Sequence, residues 1–378
     1  MAKEKDVSVI LPCLNEEKTI GNCIKKALQV FKENKINGEI IVVDNGSTDN
    51  SVKIASSLGV NVIKEPLKGY GSAYLRGFSE AKGKYIILAD SDGTYDLLEI
   101  PKFLTALKEN DFVIGSRFKG EIKKGAMPFL HRYIGNPLLS FLLGIFFRKK
   151  ISDCHSGFRA IRKDVLEKLN LKTTGMEFAS EMIIKAIKSK IKIKEIPVSY
   201  HPREGESKLK SFHDGWRHLR FMLLYSPLYL FIIPGFLLFL TGSILMLSLF
   251  FGTIAINNVR LDIHSMILSS VLIIVGFQII TLGTYAKIYA VKNELEKPSK
   301  FIRLVETYLD FEKGALTGIV IVSIGMIISL IILTRWINLG FGNLSEMRNA
   351  ILAMTLIVLG IQIAFSAFFI SILNIHKK

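Results

Sequence analysis

Cysteine is scarce in this chain: three residues in 378, Cys13, Cys23 and Cys154. None belongs to a C-x-x-C pair, so neither a disulfide framework nor a cysteine-based zinc site is indicated. Cys154 lies beside His155, a pairing that thiol chemistry uses, but reduced structural thiols in a cytosolic domain account for all three. No G-x-x-x-x-G-K-[ST] occurs, which removes a P-loop. Lys68-Gly69-Tyr70-Gly71-Ser72-Ala73-Tyr74 begins like G-x-G-x-x-G but has Tyr74 at the last glycine position, which removes a dinucleotide fingerprint. Charge is the other absence. Beyond Tyr225 the apolar residues come in charge-free blocks, which excludes a purely soluble protein.

What is present is unevenly spread. Apolar residues make up 49% and charged ones 22%, enough to bury a core and too apolar for disorder. The formal charge is +16. Residues 1–116 hold 15 Lys/Arg against 16 Asp/Glu, a net of −1, whereas residues 117–220 hold 23 against 10, a net of +13. The second stretch therefore faces something anionic, phosphate groups or an acidic lipid surface. Nucleic acid is not the expected partner, because the basic stretch runs straight into membrane spans and has no nucleic-acid-binding signature.

From Val7 to about Ser116 the pattern alternates. β-Branched runs at Val7–Leu11, Glu39–Val43, Asn61–Ile63, Tyr85–Ala89 and Phe112–Ile114 are separated by helical segments at Lys18–Phe31, Ser51–Leu58 and Tyr70–Ala81. That alternation predicts an α/β domain with a mainly parallel sheet, whose ligands sit at the carboxyl ends of the strands. Polar clusters follow strands at those ends: Asn15-Glu16-Glu17, Asp44-Asn45-Gly46-Ser47-Thr48-Asp49 and Asp90-Ser91-Asp92. Leu138–Phe147, closed by Arg148-Lys149-Lys150, is too short to span a bilayer and reads as an interfacial helix or a buried core helix. Glu177–Lys188 is a further helix, followed by a strand at Ile191–Val198 and the loop His201–Lys210.

Four spans are expected, at about Leu223–Phe251, Ser265–Ala286, Ala315–Thr334 and Ala350–Leu373, none containing Asp, Glu, Lys or Arg. The absence of intramembrane charge argues against an ion-coupled transporter. The loop between the second and third spans carries six basic residues, Lys287, Lys292, Lys297, Lys300, Arg303 and Lys313, against one in one outer loop (Arg260) and two in the other (Arg335 and Arg348). The positive-inside rule then puts both termini and the α/β domain in the cytosol. The expected organisation is a catalytic domain at 1–210, an interfacial juxtamembrane segment at 211–222 and a four-span membrane domain at 223–378.

Asp90 and Asp92 are two carboxylates one residue apart at a strand end, a spacing that converges on a hard cation such as Mg²⁺ or Mn²⁺, which in turn holds a diphosphate. Asp44 stands where a carboxylate can accept hydrogen bonds from a base or ribose. Taken in order, Leu11-Pro12-Cys13-Leu14-Asn15-Glu16, Val42-Val43-Asp44-Asn45-Gly46-Ser47-Thr48-Asp49, Lys68-Gly69-Tyr70-Gly71, Asp90-Ser91-Asp92-Gly93, Gly115-Ser116-Arg117, Asp153-Cys154-His155-Ser156-Gly157-Phe158-Arg159 and Arg203-Glu204-Gly205-Glu206-Ser207-Lys208 resemble the family 2 glycosyltransferases, specifically the dolichol- and polyprenyl-phosphate mannose and glucose synthases. Each motif is weak alone; seven in one order are specific.

The resemblance implies a GT-A fold and inverting transfer of one hexose from a nucleotide sugar of the UDP-glucose or GDP-mannose type to dolichyl or polyprenyl phosphate. Pro12, Leu14, Glu16, Asp44 and Ser91 would then line the donor, and Asp90 and Asp92 would hold the metal. Thr94 stands where some mannose synthases have a glutamine metal ligand, and Asn45 replaces a common second Asp. Arg117, with His131 and Arg132, would meet the acceptor phosphate. Arg203 and Lys208 would close over the donor on a basic loop, and Asp153 would act as base or position the acceptor. A homo-oligomer is compatible with this reading. Two alternatives stand beside it: a processive polysaccharide synthase, although the Q-x-x-R-W motif of those enzymes is absent, and a non-catalytic lipid-binding or flippase-like subunit.

Overall fold

A computed structural model of the chain describes residues 5–204, 211–256, 259–292 and 311–374, with positions 300, 302, 304 and 305. It divides into two compact units, Met1–Tyr225 and Ser226–Lys378. The first unit is built on seven strands: β1 Val7–Cys13, β2 Gly38–Asp44, β3 Asn61–Lys64, β4 Tyr85–Leu88, β5 Phe112–Ser116, β6 Arg159–Arg162 and β7 Ile193–Pro197, in the order β3-β2-β1-β4-β6-β5-β7. Only β6 runs antiparallel to its neighbours; every other pair is parallel.

Helices cover both faces, so strand residues of both parities are buried. Val7, Val9 and Leu11 pack with Ile40, Val42 and Ile87 against α1 (Ile20–Glu33), α2 (Ser51–Ser57) and α4 (Ile100–Leu107). Ile10, Ile41, Val43, Ile86 and Leu88 face α3 (Tyr70–Glu80), α5 (Asn136–Phe147), α6 (Lys163–Leu169) and α7 (Phe178–Lys188), with Met222 of α8 (Ser211–Leu224). Of these seven strands, β6 is the one that the apolar pattern does not announce. It is four residues long and starts and ends with arginine. Arg159 is nonetheless 2% exposed, because its guanidinium donates to the carbonyls of Ser156, Ala179 and Cys154 at 2.7–2.9 Å.

Strand β1 lies between β2 and β4, and the chain leaves it in opposite directions to form the two halves of the sheet. A crevice at the carboxyl ends of β1, β2 and β4 follows from that reversal, and the three polar clusters all lie there.

Among the described residues the second unit holds four helices long and apolar enough to cross a membrane: Leu228–Phe250, Ile263–Lys292, Phe311–Asn338 and Met347–Leu373. Glycines let them approach closely. A Cβ at Gly318 would sit 2.5 Å from the Gly360 carbonyl oxygen, and one at Gly235 would sit 2.8 Å from that of Gly276. The chain is an integral membrane protein.

Candidate active site

The loops after β1 and β2 are stitched to each other. Asn15 takes a left-handed conformation (φ 52°), its N–H donates to Ser47 Oγ at 3.0 Å and its Oδ1 accepts from Thr48 N at 2.7 Å. Asp44 Oδ1 accepts from Ser47 N at 2.9 Å, closing its own turn. Asn45 explains itself in the same way. Its Nδ2 donates to the carbonyls of Glu65 and Leu67 at 3.0 and 2.9 Å while its Oδ1 accepts from Gly69 N at 2.7 Å. An aspartate there has no hydrogens to donate, so the Asn is a structural requirement of this loop.

A cavity of about 720 Å³ opens at these strand ends. Of the residues expected at the site, Pro12, Leu14, Glu16, Asp90, Ser91, Asp92, Thr94, Arg117, His131 and Arg203 line it. Asp44, Arg132 and Asp153 do not: Asn45 rather than Asp44 forms the wall after β2, and the Arg132 guanidinium lies over the Tyr133 ring, 5.4 Å from its centre. Lys208 falls outside the described residues.

Asp90 sits against Gly157, where a Cβ would come within 2.1 Å of Asp90 Oδ2, so glycine is what gives the carboxylate its room. Tyr70 OH donates to Asp90 Oδ1 at 2.9 Å. Burial first, and then the charge of Asp92, hold the Asp90 carboxyl well above the usual carboxylate range. Asp92 Oδ1 accepts from Thr94 N at 3.1 Å and Thr94 Oγ1 at 2.6 Å; Thr94 thus orients Asp92. Ser91 is turned inward, with its hydroxyl donating to Pro12 O at 2.5 Å, which ties the end of β4 to that of β1. Arg203 bridges Glu16 and Asp92, lying 3.3 Å from Asp92 Oδ2, and its Nε is buried without a partner.

Among the described residues no three His, Cys, Asp or Glu side chains form a metal cage. Two desolvated carboxylates do fit a hard divalent ion in the mode where protein supplies one or two carboxylates and the substrate's phosphates and waters supply the rest.

Arg117, also on the cavity wall, is 7% exposed, and Asp153 is fully buried. Arg117 donates from Nε and Nη2 to the two oxygens of Asp153, both at 2.7 Å, and Arg117 N donates to Oδ2 at 3.0 Å. Burial alone would lower the Arg117 pKa; Asp153 more than reverses that and holds it well above the usual value. Tyr200 stacks on the guanidinium, 5.1 Å away. Asp153, expected as a candidate base, lies behind Arg117 with both oxygens engaged; its geometry is that of a positioning residue. Glu195 of β7 supports it by accepting from Ser152 N and Ser152 Oγ at 2.7 Å and from Asp153 N at 3.2 Å.

Deeper in the cavity the rings of His155 and His218 meet edge to face at 4.2 Å, and His218 Nδ1 pairs with Ser180 Oγ at 2.9 Å. Burial, with Arg159 and Arg217 nearby, pushes His218 down to about 4. Burial, His218, Arg117 and Arg159 push His155 well below its ordinary value. Tyr200, Glu195 and His218 carried no signal in the sequence, and Tyr70 and Gly157 only as members of their motifs, because each reaches the site through pairing across the fold.

A mainly parallel sheet with a carboxylate pair at its switch point and a guanidinium facing it is the architecture of a GT-A glycosyltransferase. The profile described as glycosyl transferase family 2 matches residues 8–170, and that described as the glycosyltransferase family 2 C-terminal transmembrane region matches residues 284–374. The low-salt glycan biosynthesis hexosyltransferase Agl6 of Haloferax volcanii is 38% identical over 372 residues, 97% of this chain and 89% of that one. The dolichyl-phosphate hexose transferase of the same organism is 31% identical, over 56% of this chain and 89% of its own length. The dolichol-phosphate mannosyltransferase of Pyrococcus furiosus is 35% identical over 54% and 59% of the two chains. The chain belongs to the family 2 glycosyltransferases.

Proposed function

We propose that this membrane glycosyltransferase moves a single hexose, with inversion, from a nucleotide sugar of the UDP-glucose or GDP-mannose type to dolichyl or polyprenyl phosphate at the cytosolic membrane face, making a lipid-linked sugar donor. The observation that carries the reading is that one cavity is lined by Asp90, Asp92, Glu16 and Arg203 together with Arg117 and His131. The names of the relatives, hexosyltransferases and dolichyl-phosphate transferases, support the substrate classes.

In this reading Pro12, Leu14 and Glu16 receive the nucleotide, and Asp44 and Ser91 hold the loops that form its site. Asp90 and Asp92 would hold Mg²⁺ or Mn²⁺, with Thr94 orienting Asp92. When bound, the ion neutralises charge on the departing nucleoside diphosphate. Arg203 exchanges its carboxylate partners for diphosphate oxygens, with Lys208 as a second cation. Arg117, fixed by Asp153 and Tyr200, presents its remaining N–H groups to the acceptor phosphate, and His131 lies on the same wall. An acceptor phosphate is already anionic at neutral pH and attacks the anomeric carbon without a strong base, so stabilising the leaving diphosphate is the larger demand.

The acceptor must be met at a lipid surface, and the first unit exposes apolar side chains for it. Phe129, Tyr133, Leu138 and Phe141 are 50–72% exposed, close in sequence to the exposed cations Arg148, Lys149 and Lys150.

Transfer of labelled sugar from a panel of UDP- and GDP-sugars to a polyprenyl phosphate, with Mg²⁺ or Mn²⁺ and an Asp92→Asn control, tests the reading. Product from one donor, lost in the control, is expected. Nucleotide binding without lipid product from any donor would overturn it.

A further inference from the structure

The centre of the membrane unit carries two glutamines. Gln278 is the sixteenth residue of the span Ile263–Lys292 and Gln362 the sixteenth of Met347–Leu373, so both lie near mid-span. Gln362 Nε2 donates to Gln278 Oε1 at 2.9 Å. That bond leaves most of the two amides unmatched. Gln278 is exposed on the outer surface of the unit, and Gln362 Oε1 is buried with no partner. Reversing the oxygen and nitrogen of either amide changes which atoms remain, not that some remain. Another polar pair between the same two helices behaves differently: Ser270 and Thr355 are buried, their hydroxyls pair at 2.7 Å, and Thr355 Oγ1 is also 2.7 Å from Ile351 O. One pair is closed, and the other opens outward between exposed Val275, Leu282, Ile361 and Phe365.

At mid-span there is no water to complete the set, and lipid headgroups lie roughly 15 Å away. An isoprenoid chain offers neither donor nor acceptor. Another membrane span does. A glutamine amide is donor and acceptor at once, so a two-fold axis through the patch sets Gln278 of one copy against Gln278 of the next and satisfies both.

We propose that Gln278 and Gln362 form a self-complementary hydrogen-bonding patch through which two copies of this chain associate inside the bilayer. The proposal is independent of the donor and acceptor assigned above.

The test uses the full chain in phospholipid vesicles, with association followed by energy transfer between labelled copies as the protein-to-lipid ratio is varied. The double variant Gln278→Leu, Gln362→Leu is expected to raise the dissociation constant roughly three- to twentyfold, the range for interhelical hydrogen bonds in membranes, while retaining nucleotide binding as evidence of folding. Gln278→Cys is expected to cross-link between copies on oxidation, and Ile319→Cys, on another exposed span, is not. Association unchanged in the double variant, wild-type protein monomeric at every ratio, or cross-linking at Ile319→Cys in preference to Gln278→Cys would each overturn it.

Discussion

Replacing Asp153 with asparagine separates two roles that a carboxylate beside a substrate phosphate can have. The pair Asp153–Arg117 is buried, bidentate and reinforced by the Arg117 backbone N–H. Asparagine keeps the shape but removes the charge and turns an NH₂ toward a guanidinium that has only donors. Breaking a buried ion pair from one side costs about 3–5 kcal/mol, because the remaining charge stays desolvated. Asp153→Asn is therefore expected to lower the melting temperature of the purified enzyme. The Michaelis constant for the proposed lipid-phosphate acceptor should also rise, by roughly ten- to a hundredfold, the worth of one hydrogen bond to a charged group. The double replacement Arg117→Met, Asp153→Leu should recover stability without recovering acceptor binding, since an apolar pair of similar volume removes the uncompensated charge. The measurements are thermal melting and initial rates with acceptor varied at saturating donor. An Asp153→Asn enzyme of unchanged melting temperature and unchanged acceptor KM, but with kcat abolished, would make Asp153 a base and refute the positioning argument.

Two further outcomes are expected. His218 and His155 are held neutral in the fold but protonate near pH 6.5 when unfolded, so the unfolded chain gains protons that the folded one refuses. The His218 contribution is full above pH 6.5 and is lost as pH drops toward 4, by roughly 3 kcal/mol across that window, while the raised Asp90 carboxyl contributes in the opposite direction. The difference in melting between wild type and His218→Gln, which cancels the Asp90 contribution, should therefore change from pH 7.5 to 5 in favour of the variant; parallel slopes would count against buried neutral imidazoles. Phe141→Asp, at a residue 64% exposed, should cut turnover of a vesicle-embedded acceptor while sparing nucleotide binding and melting, whereas Phe146→Asp, packed against the core, should lower melting. Equal effects of the two would remove the docking face.

The proposed donor end was legible because its chemistry is local. Asp90, Asp92 and Glu16 each stand within a few residues of a strand end, and an apolar run followed by a polar cluster announces both. At the proposed acceptor end Arg117 and Asp153 each stood in a legible motif, but their pairing did not show. Asp153 is 36 residues from the arginine that it grips, and an antiparallel strand with arginine at both ends brings the two sides together. The run Leu138–Phe147 was legible as too short to span, but not as a helix that buries Ser140 and Leu143 while exposing Leu138 and Phe141. Periodicity gives the element; only its neighbours give the face.

The 23 basic residues of positions 117–220 include two populations with different work to do. Arg117 is compensated by Asp153, Arg159 by three backbone carbonyls, and Lys119 by Glu195. The two paired with carboxylates add little long-range field, and the worth of the buried arginines is geometric, since a fixed guanidinium presents its donors at set positions. Arg148, Lys149 and Lys150 are exposed at the end of α5. Exposed charges act over about a Debye length, near 10 Å at 0.1 M salt, and so attract an anionic surface without choosing among its phosphates. Raising ionic strength should therefore weaken encounter with the membrane far more than it weakens the buried Arg117–Asp153 pair. A charge sum read from sequence gives the total of both populations, and only burial divides it.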